Sequence, residues 1–339
     1  MSSLKIDREK KIHIVAERAC SHDGDEQLAR IIIDGAGNAG ADSIQFQVWQ
    51  AEDIMVPHHP NFALLKRIEL GRDVWQRLAE YTLSKFPETE IVACIYDPAS
   101  ADFCARFGAA AFKLHSADLS NPELIRHVAQ LGKRIDLSVG ASSLDEVAQA
   151  LDSIRKQSSC PVWLMYGYQS FPTPTDGIHL DYMRTIRDLF GLPVGYQDHS
   201  DAESQAAFWL PAAAAGMGVD AVEKHITHDR SKKGVDHEAA LNPDEFTSFC
   251  GMIREIDIAR GSRHPRPFSE PEIEYRKYSK KSIVAARDLP AGSQVELAEL
   301  TFMRADELGL PPDRVYELTG RKTRREIPAH SIVRPEDME

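Results

Sequence analysis

The stretch that decides the fold spans residues 192–227 and reads LPVGYQDHSDAESQAAFWLPAAAAGMGVDAVEKHIT. Two short apolar runs, each ending in polar residues, flank an alanine-rich segment typical of a helix. A strand–helix–strand unit would place His199 and His225 at the carboxyl ends of neighbouring parallel strands. Neutral imidazole binds divalent transition metals, and two imidazoles leave coordination positions open for a substrate. The stretch predicts a metal site at the end of a parallel sheet, with a pair of hydrogen-bonded structural histidines as the alternative.

The same alternation of apolar runs and helical patterns extends from the start of the chain to about residue 260. Eight runs at this spacing predict a (β/α)8 barrel of the TIM type. Periodicity alone also allows a doubly wound sheet, but polar residues follow nearly every run, which favours the barrel. The predicted strands are His13–Ala16, Ser43–Gln47, Ile91–Ile95, Ala111–Leu114, Ile135–Ser138, Val162–Tyr166, Val194–Tyr196 and Asp220–Glu223.

The composition changes after the predicted barrel, which covers residues 1–260. Residues 261–281 combine prolines and charges without helical or strand periodicity, which is typical of a linker. Residues 282–339 contain short β-rich segments and turns, too few for a large core. We therefore expect a small β-rich C-terminal domain that docks on the barrel or on a second subunit.

Composition and charge argue against several classes of protein. The net charge of −12 disfavours binding to a nucleic-acid backbone, and no run approaches the roughly 18 apolar residues that a membrane span needs. The N-terminus is charged and has no apolar signal segment, and the five cysteines form no CxxC pair. We expect a cytoplasmic protein with reduced thiols. The GxGxxG-like run at residues 35–40 ends a helical pattern, the wrong context for a nicotinamide cofactor.

Other candidate functional residues stand at the ends of earlier strands. Glu17 can act as a general acid or base at the barrel mouth, or form a salt bridge with Arg18 or another strand-end charge. Lys113 and Ser116 offer a cation and a hydroxyl suited to a phosphate or carboxylate, and a lysine inside a barrel needs an anion. Gln45 and Gln47 can hydrogen-bond a substrate without neutralising its charge.

Three further segments follow later strands. Ser138 precedes a glycine at residue 140, which permits close approach of the backbone to a ligand. Residues 166–174 are rich in aromatic residues and proline, and form either a stiff pocket wall or an ordinary loop. Asp236 lies in a loop of mixed charge, where it can orient a sugar hydroxyl or a metal-bound water.

The order of several motifs is more specific than any one of them. They are Ala16-Glu17 with His22-Asp23-Gly24, Ala39 to Asp42 with Phe46-Gln47, Lys113 to Asp118, Leu137 to Gly140, Phe171 to Pro174, Gly195 to Ser200, Glu223 to Thr227 and Gly234 to His237. Together they resemble the sialic acid synthase family, which makes N-acetylneuraminate and related nonulosonates. Residues 282–339 resemble the SAF, or antifreeze-like, domain that ends these enzymes.

The resemblance implies a metal-dependent condensation of phosphoenolpyruvate with an open-chain N-acylated amino sugar, with release of phosphate. It implies that His199 and His225 hold a divalent metal, usually Mn²⁺ with Mg²⁺ or Co²⁺ as alternatives, which polarises the sugar aldehyde. Glu17 and His225 are the implied catalytic residues, and Glu17 manages the proton transfers. The implied substrate contacts are Gln45, Gln47, Lys113, Ser116, Asp118, Ser138, Gln169, Phe171, Gln197, Asp236 and Arg304.

The resemblance also implies a homodimer. In the family, the C-terminal domain of one subunit covers the active site of its partner and offers an arginine to the acyl group of the sugar. Arg304 matches that arginine.

Four positions depart from the family pattern. Gln45 stands where the family has a lysine that binds phosphoenolpyruvate, Gln197 replaces a serine, Gln169 an asparagine and Phe171 a tyrosine. A lost lysine removes one charge from an anion site, an effect of about 1.5–3 kcal/mol for a charge-assisted contact. The glutamines indicate a reshaped site. Two alternatives therefore stay open: a barrel lyase or aldolase acting on a different keto acid or sugar, and a non-catalytic sugar- or metal-binding relative.

Overall fold

Eight parallel strands close into a barrel in a computed structural model that describes residues 11–262 and 265–339. The strands are β1 His13–Glu17, β2 Ser43–Val48, β3 Glu90–Ile95, β4 Ala111–Leu114, β5 Arg134–Ser138, β6 Val162–Tyr166, β7 Val194–Asp198 and β8 Ala221–His225. Each strand pairs with the next in sequence, and β8 closes the barrel by pairing with β1. The predicted (β/α)8 barrel is confirmed.

Helices surround the sheet, and several begin at a side-chain cap. Asp25, Asp97 and Ser143 accept hydrogen bonds from backbone amides at the starts of α1, α5 and α7, which satisfies donors that the helix leaves unpaired. The helices are α1 Glu26–Asn38, α2 Ala51–Ile54, α3 Phe62–Ile68, α4 Arg72–Lys85, α5 Pro98–Arg106, α6 Pro122–Gln130, α7 Leu144–Gln157, α8 Tyr182–Phe190, α9 Ala206–Gly216 and α10 Pro243–Arg260.

Alternating side chains give the sheet two different faces. Outward residues such as Ile14 and Ile44 belong to the main core, which also contains the buried faces of the helices. Trp163, Met165 and Ala221 form a small apolar cluster that is separate from the main core. Many other inward positions are buried and polar, and they include Glu17, Gln45, Lys113, Asp136, Ser138, Gln197 and Glu223. The barrel interior therefore holds ionisable groups at low exposure.

His13, at the amino end of β1, makes stability sensitive to acid. Its Nε2 lies 3.0 Å from the Ser43 hydroxyl, and its ring meets the edge of Trp163. Burial, helped by Arg134, lowers the pKa of His13 to about 4. Between pH 6.5 and 4 the unfolded chain binds a proton that the folded chain does not. Stability is therefore expected to fall as pH drops through this window, by up to about 3 kcal/mol.

Urea unfolding at pH 7 and pH 4.5 measures this loss. His13→Gln keeps a hydrogen-bonding side chain but cannot titrate, so this variant should lose that part of the pH dependence. An identical pH dependence in both proteins would contradict the assignment.

The second compact unit of the chain begins at Ser262, where the barrel unit has ended at Gly261. Strands β9 Lys281–Ala285 and β10 Leu300–Arg304 pair antiparallel, and isolated bridges add further pairing. The unit has its own small core, formed by Ile283, Ala285, Leu289, Val295, Leu300, Val315, Leu318, Ile327, Val333 and Met338. The predicted β-rich C-terminal domain is therefore present.

The predicted linker contains a helix that the sequence pattern does not show. The sequence of residues 261–281 predicts a linker because it shows no helical periodicity, yet α11, Glu270–Ser279, forms within it. None of the residues of α11 is buried in the described structure. A helix without a buried face has no apolar periodicity, so only its capping box, Ser269 with Glu272, marks it.

Two expectations drawn from composition can be compared with the structure. Within the described ranges, no helix has the length and apolar content needed to cross a membrane. All five cysteines are free thiols, as expected from their spacing.

Candidate active site

A narrow cavity of about 40 Å³ lies where the carboxyl ends of the strands meet. Most of the predicted site residues line it, together with three that the sequence analysis did not select: Cys94, His115 and Glu223. In the described part of the chain, the lining residues are Glu17, Gln47, Cys94, Lys113, His115, Ser138, Gln169, Phe171, Gln197, His199, Glu223 and His225. The strand ends therefore bring together residues that are distant in sequence, such as Glu17 and His225, which are 208 positions apart.

The two predicted imidazoles face each other in this cavity. The ring centroids of His199 and His225 are 5.3 Å apart. Nδ1 of His199 lies 2.8 Å from the carbonyl oxygen of Tyr168, which can only accept, so Nδ1 carries the proton and Nε2 keeps a lone pair. Nδ1 of His225 has no hydrogen-bond partner among the described residues. Burial lowers the pKa of both rings, so both are neutral at neutral pH.

This geometry fits a divalent transition metal. Two neutral imidazoles at this separation can both reach one ion with bonds of about 2.1 Å. The Tyr168 carbonyl orients His199 in the way that outer groups commonly orient a metal-bound histidine. No group of three or more His, Cys, Asp or Glu within residues 11–262 and 265–339 is arranged to hold a metal. The remaining coordination positions would therefore belong to substrate and water.

Lys113 is held by carboxylates of the protein itself. Its Nζ lies 2.6 Å from Glu223 Oε1 and 3.5 Å from Glu17 Oε2. The same oxygen of Glu223 accepts a hydrogen bond of 3.0 Å from Gln197 Nε2, and Gln197 Oε1 accepts one of 2.8 Å from the Ser138 hydroxyl. Burial alone would lower the pKa of Lys113, but the two carboxylates outweigh this effect and raise it. A buried network therefore joins side chains of five strands.

Glu17 is placed to exchange protons near neutral pH. The carboxylate is 1 % exposed and accepts a hydrogen bond of 2.6 Å from the Ala19 amide. Burial raises the pKa of Glu17 to about 7, and the opposite charge of Lys113 limits the rise. A carboxyl with such a pKa can both donate and accept a proton in the physiological range. Glu17 also forms a salt bridge, but its partner is Lys113, whereas the guanidinium of Arg18 has no hydrogen-bond partner among the described residues.

Phe171 covers the imidazole pair. Its ring centroid is 4.4 Å from that of His199 and 6.0 Å from that of His225, and the side chain is 46 % exposed. Gln169 also lines the cavity, so the aromatic loop after β6 is a pocket wall.

Some predicted contacts do not line the cavity. Strand β4 ends at Leu114 and is followed by a 3₁₀ helix, Ser116–Asp118, and strand alternation points His115, not Ser116, to the side of Lys113. His115 lines the cavity in its place. Ser116 and Asp118 are half-buried in that turn, so their role as substrate contacts has no support from the cavity.

Three other predicted contacts also lie outside the lining. Gln45 is 1 % exposed, and neither atom of its amide has a hydrogen-bond partner among the described residues. Asp236 adopts a left-handed backbone conformation with φ 64°, and burial raises its pKa. Arg304 is the exposed last residue of β10 in the second unit. Their roles remain predictions.

Glu223 is the most important site residue that the sequence analysis did not select, because it binds both Lys113 and Gln197 in the cavity. It stands two positions before His225 on β8, so strand alternation alone points both side chains to the barrel interior. The intervening Lys224 faces the other way. Its Nζ is 2.6 Å from Asp198 Oδ2, and both side chains are fully buried. That pair is therefore structural, although both residues belong to the histidine motifs.

Gly140 brings two strand ends into close contact. A Cβ at this position would overlap the carbonyl oxygen of Gly167 and stand 2.8 Å from Gln169 Nε2. The backbone after β6 would have to move, and the same loop carries the Tyr168 carbonyl that orients His199. Gly140→Ala is expected to destabilise the fold by about 2–3 kcal/mol and to lower turnover.

Gly251→Ala is the matched control, because no atom lies within 4 Å of a Cβ built there and the residue is inside α10. This change is expected to stabilise slightly. Urea unfolding of both variants tests the difference, and equal effects would show that Gly140 is not tightly packed.

The chain is similar to known proteins over most of its length. A sequence profile of the NeuB family matches residues 32–265, and one of the SAF domain matches residues 280–339. N,N'-diacetyllegionaminic acid synthase of Legionella pneumophila is 28% identical over 344 residues, covering 96% of this chain and 94% of that protein. N-acetylneuraminate-9-phosphate synthase of Mus musculus is 25% identical over 343 residues, covering 96% and 92%.

A solved structure is also similar. The crystal structure of N-acetylneuraminic acid (sialic acid) synthetase from Leptospira borgpetersenii, in complex with citrate, has a TM-score of 0.72 and 28% identity. The similarity covers 79% of this chain and 92% of that chain. Sequence and fold therefore agree on the same group of relatives.

Proposed function

The chain belongs to the NeuB family, and from this premise we propose that it condenses phosphoenolpyruvate with an open-chain N-acylated amino sugar. Carbon 3 of the donor would bond to the aldehyde carbon of the sugar, water would add at carbon 2, and phosphate would leave. The product is a nonulosonic acid. The named relatives are synthases of legionaminic and neuraminic acids, which supports an enzyme of this class.

One observation carries the proposal. A carboxyl group that titrates near neutrality, a lysine and two neutral imidazoles converge in one cavity at the strand ends. Condensation of an enol donor with an aldehyde needs a proton for the new hydroxyl, removal of a proton from water and polarisation of the aldehyde. Glu17 could serve both proton transfers, and a metal held by the two imidazoles could polarise the aldehyde.

Glu17 would carry the protons. With a pKa of about 7, it can protonate the aldehyde oxygen as the carbon–carbon bond forms, and then accept a proton from the attacking water. Lys113, at 3.5 Å, stabilises the carboxylate form between these steps. His199 and His225 would hold a divalent metal, Mn²⁺ in our proposal with Mg²⁺ or Co²⁺ as alternatives, and the metal would supply Lewis-acid chemistry for the aldehyde. Phe171 limits the access of water from its side.

The experiment is an assay of purified protein with Mn²⁺, phosphoenolpyruvate and a panel of N-acylated amino sugars. Phosphate release equal to the amount of keto sugar acid formed, and dependent on sugar and metal, is the expected result. Binding of sugar or metal without turnover across the panel would instead identify a non-catalytic relative.

A second candidate is an aldolase that uses a keto acid without phosphate. The charges of the cavity favour it: Lys113 is already paired with Glu223 and Glu17, and Gln197 brings no charge. Consumption of pyruvate with the sugar, with no phosphate released from phosphoenolpyruvate, would establish this activity in place of the first.

We also propose a homodimer in which the C-terminal domain of one chain covers the cavity of the other. Arg304 is exposed on β10 beside Phe302 and Met303, which are 37% and 42% exposed, so an arginine and apolar surface are available to a partner. The test mixes Arg304→Ala with His225→Ala chains. Each variant alone should be inactive or weak, and mixed dimers should regain turnover through one complete site. Failure of the mixture to regain activity would exclude the arrangement.

A further inference from the structure

Arg18 is an unusual residue in this fold, because it is a fully buried cation that forms no salt bridge with the described residues. Its exposure is 0 %, and none of its three guanidinium nitrogens has a hydrogen-bond partner within the described chain. The guanidinium carbon lies 4.4 Å from the ring centroid of Phe46 and 4.3 Å from that of Trp75. Two aromatic faces offset part of the cost of desolvation, but a buried cation normally requires an anion.

The position of Arg18 connects it to the active-site cavity. It directly follows Glu17, which lines the cavity, and it packs on Phe46, which directly follows Gln45. Glu17 and Gln45 are paired in the register of β1 and β2. Arg18 therefore lies behind this pair of strands, on the outer face of the sheet.

Among the described side chains that line the cavity, none is an unpaired cation, so an anionic donor would meet no free positive charge there besides the proposed metal. Among the described lining residues, Lys113 is paired with Glu223 and Glu17. Burial lowers the pKa values of the lining histidines, so they carry no charge at neutral pH. Gln45, on the inner side of the same strands, is neutral and unpartnered. Burial lowers the pKa of Arg18 to about 9, which leaves it protonated at neutral pH.

We infer that Arg18 is a specificity-determining residue that attracts the anionic donor electrostatically from behind β1 and β2. The inference rests on the proposed function, since it requires an anionic donor. A charge buried in protein is weakly screened, so it acts across a single layer more strongly than a surface charge would. An attraction of this kind would account for an unpaired cation at a buried position between the sheet and the helices.

The experiment compares Arg18→Met with the wild type in three measurements. Calorimetric titration with phosphoenolpyruvate, without sugar, should show affinity weakened about tenfold by the loss of the charge. In turnover, KM for the donor should rise by a similar factor, while KM for the sugar and kcat change little. Urea unfolding should show a higher midpoint, because the variant replaces an unpaired buried cation with an apolar chain of similar length.

Two further variants separate charge from packing. Arg18→Lys keeps the charge and should bind the donor nearly as the wild type does. Phe46→Leu removes one aromatic face but also keeps the charge, so its donor affinity should likewise stay near that of the wild type. Adding Gln45→Lys to Arg18→Met places a cation on the inner side of the same strands. This double variant should regain donor affinity.

The outcomes distinguish the inference from the proposed function. If the wild type binds phosphoenolpyruvate but makes no product, the proposed function fails, while the affinity ratio of Arg18→Met to wild type still decides the role of Arg18. Unchanged donor affinity in Arg18→Met overturns the inference. A variant that loses stability, kcat and affinity for both substrates together overturns it too, because that pattern describes a purely structural residue. Absence of donor binding to the wild type overturns both.

Discussion

Replacing His225 by alanine is expected to lower kcat by at least about 10³-fold while the fold remains intact. His225 would be one of two protein ligands of a metal that would lower the barrier by several kcal/mol, and each 1.4 kcal/mol is worth about a factor of ten in rate. Nδ1 of His225 has no hydrogen-bond partner among the described residues, so truncation breaks no hydrogen bond from that nitrogen. The expected loss is therefore in activity and not in stability.

His199→Ala provides the comparison. It removes the second proposed ligand and also the hydrogen bond to the Tyr168 carbonyl, so it should lose the same activity and about 1 kcal/mol of stability. Bound Mn²⁺, measured by electron paramagnetic resonance, should disappear in both variants. Full turnover after removal of metal by a chelator would show that the imidazole pair serves another purpose.

Replacing Lys113 by methionine is expected to cost about 3–5 kcal/mol of stability, as well as activity. The change leaves the carboxylates of Glu17 and Glu223 buried side by side, at 1 % and 2 % exposure, without their cation. Among the described residues, Glu223 would keep the amide of Gln197 as its remaining partner. The penalty is that of an uncompensated buried charge, which exceeds the value of the ion pair itself.

Lys11→Met is the control for this prediction. Lys11 pairs with Asp42 at 2.8 Å, but its side chain is 59% exposed, so its loss should cost less than about 1 kcal/mol. Urea unfolding at neutral pH measures both variants. Adding Glu223→Gln to Lys113→Met should recover part of the lost stability, because it removes one of the stranded charges. Equal losses for the two lysines would mean that the interior network is not stabilising.

The architecture of the barrel could be predicted from the sequence, because it depends on short-range periodicity. Each of the eight predicted strands is present, and no strand end differs from its predicted position by more than two residues. The largest differences are at the carboxyl ends of β7 and β8, which lie at Asp198 and His225. The histidine pair could also be predicted, since strand ends in a parallel barrel meet on one face. Helix α11 could not be predicted, because a helix with no buried residue leaves no apolar pattern.

The sequence by itself determined the order of strands and helices and which side chains stand at the strand ends. It also determined the identity of the two imidazoles and the carboxylate at position 17. Only the tertiary structure decided which charges meet. The partner of Lys113 is Glu223, 110 residues away, and Arg18 lies between two rings instead of beside a carboxylate. Strand periodicity is a local property of the chain, whereas ion pairing and desolvation depend on distances that exist only once the barrel has closed.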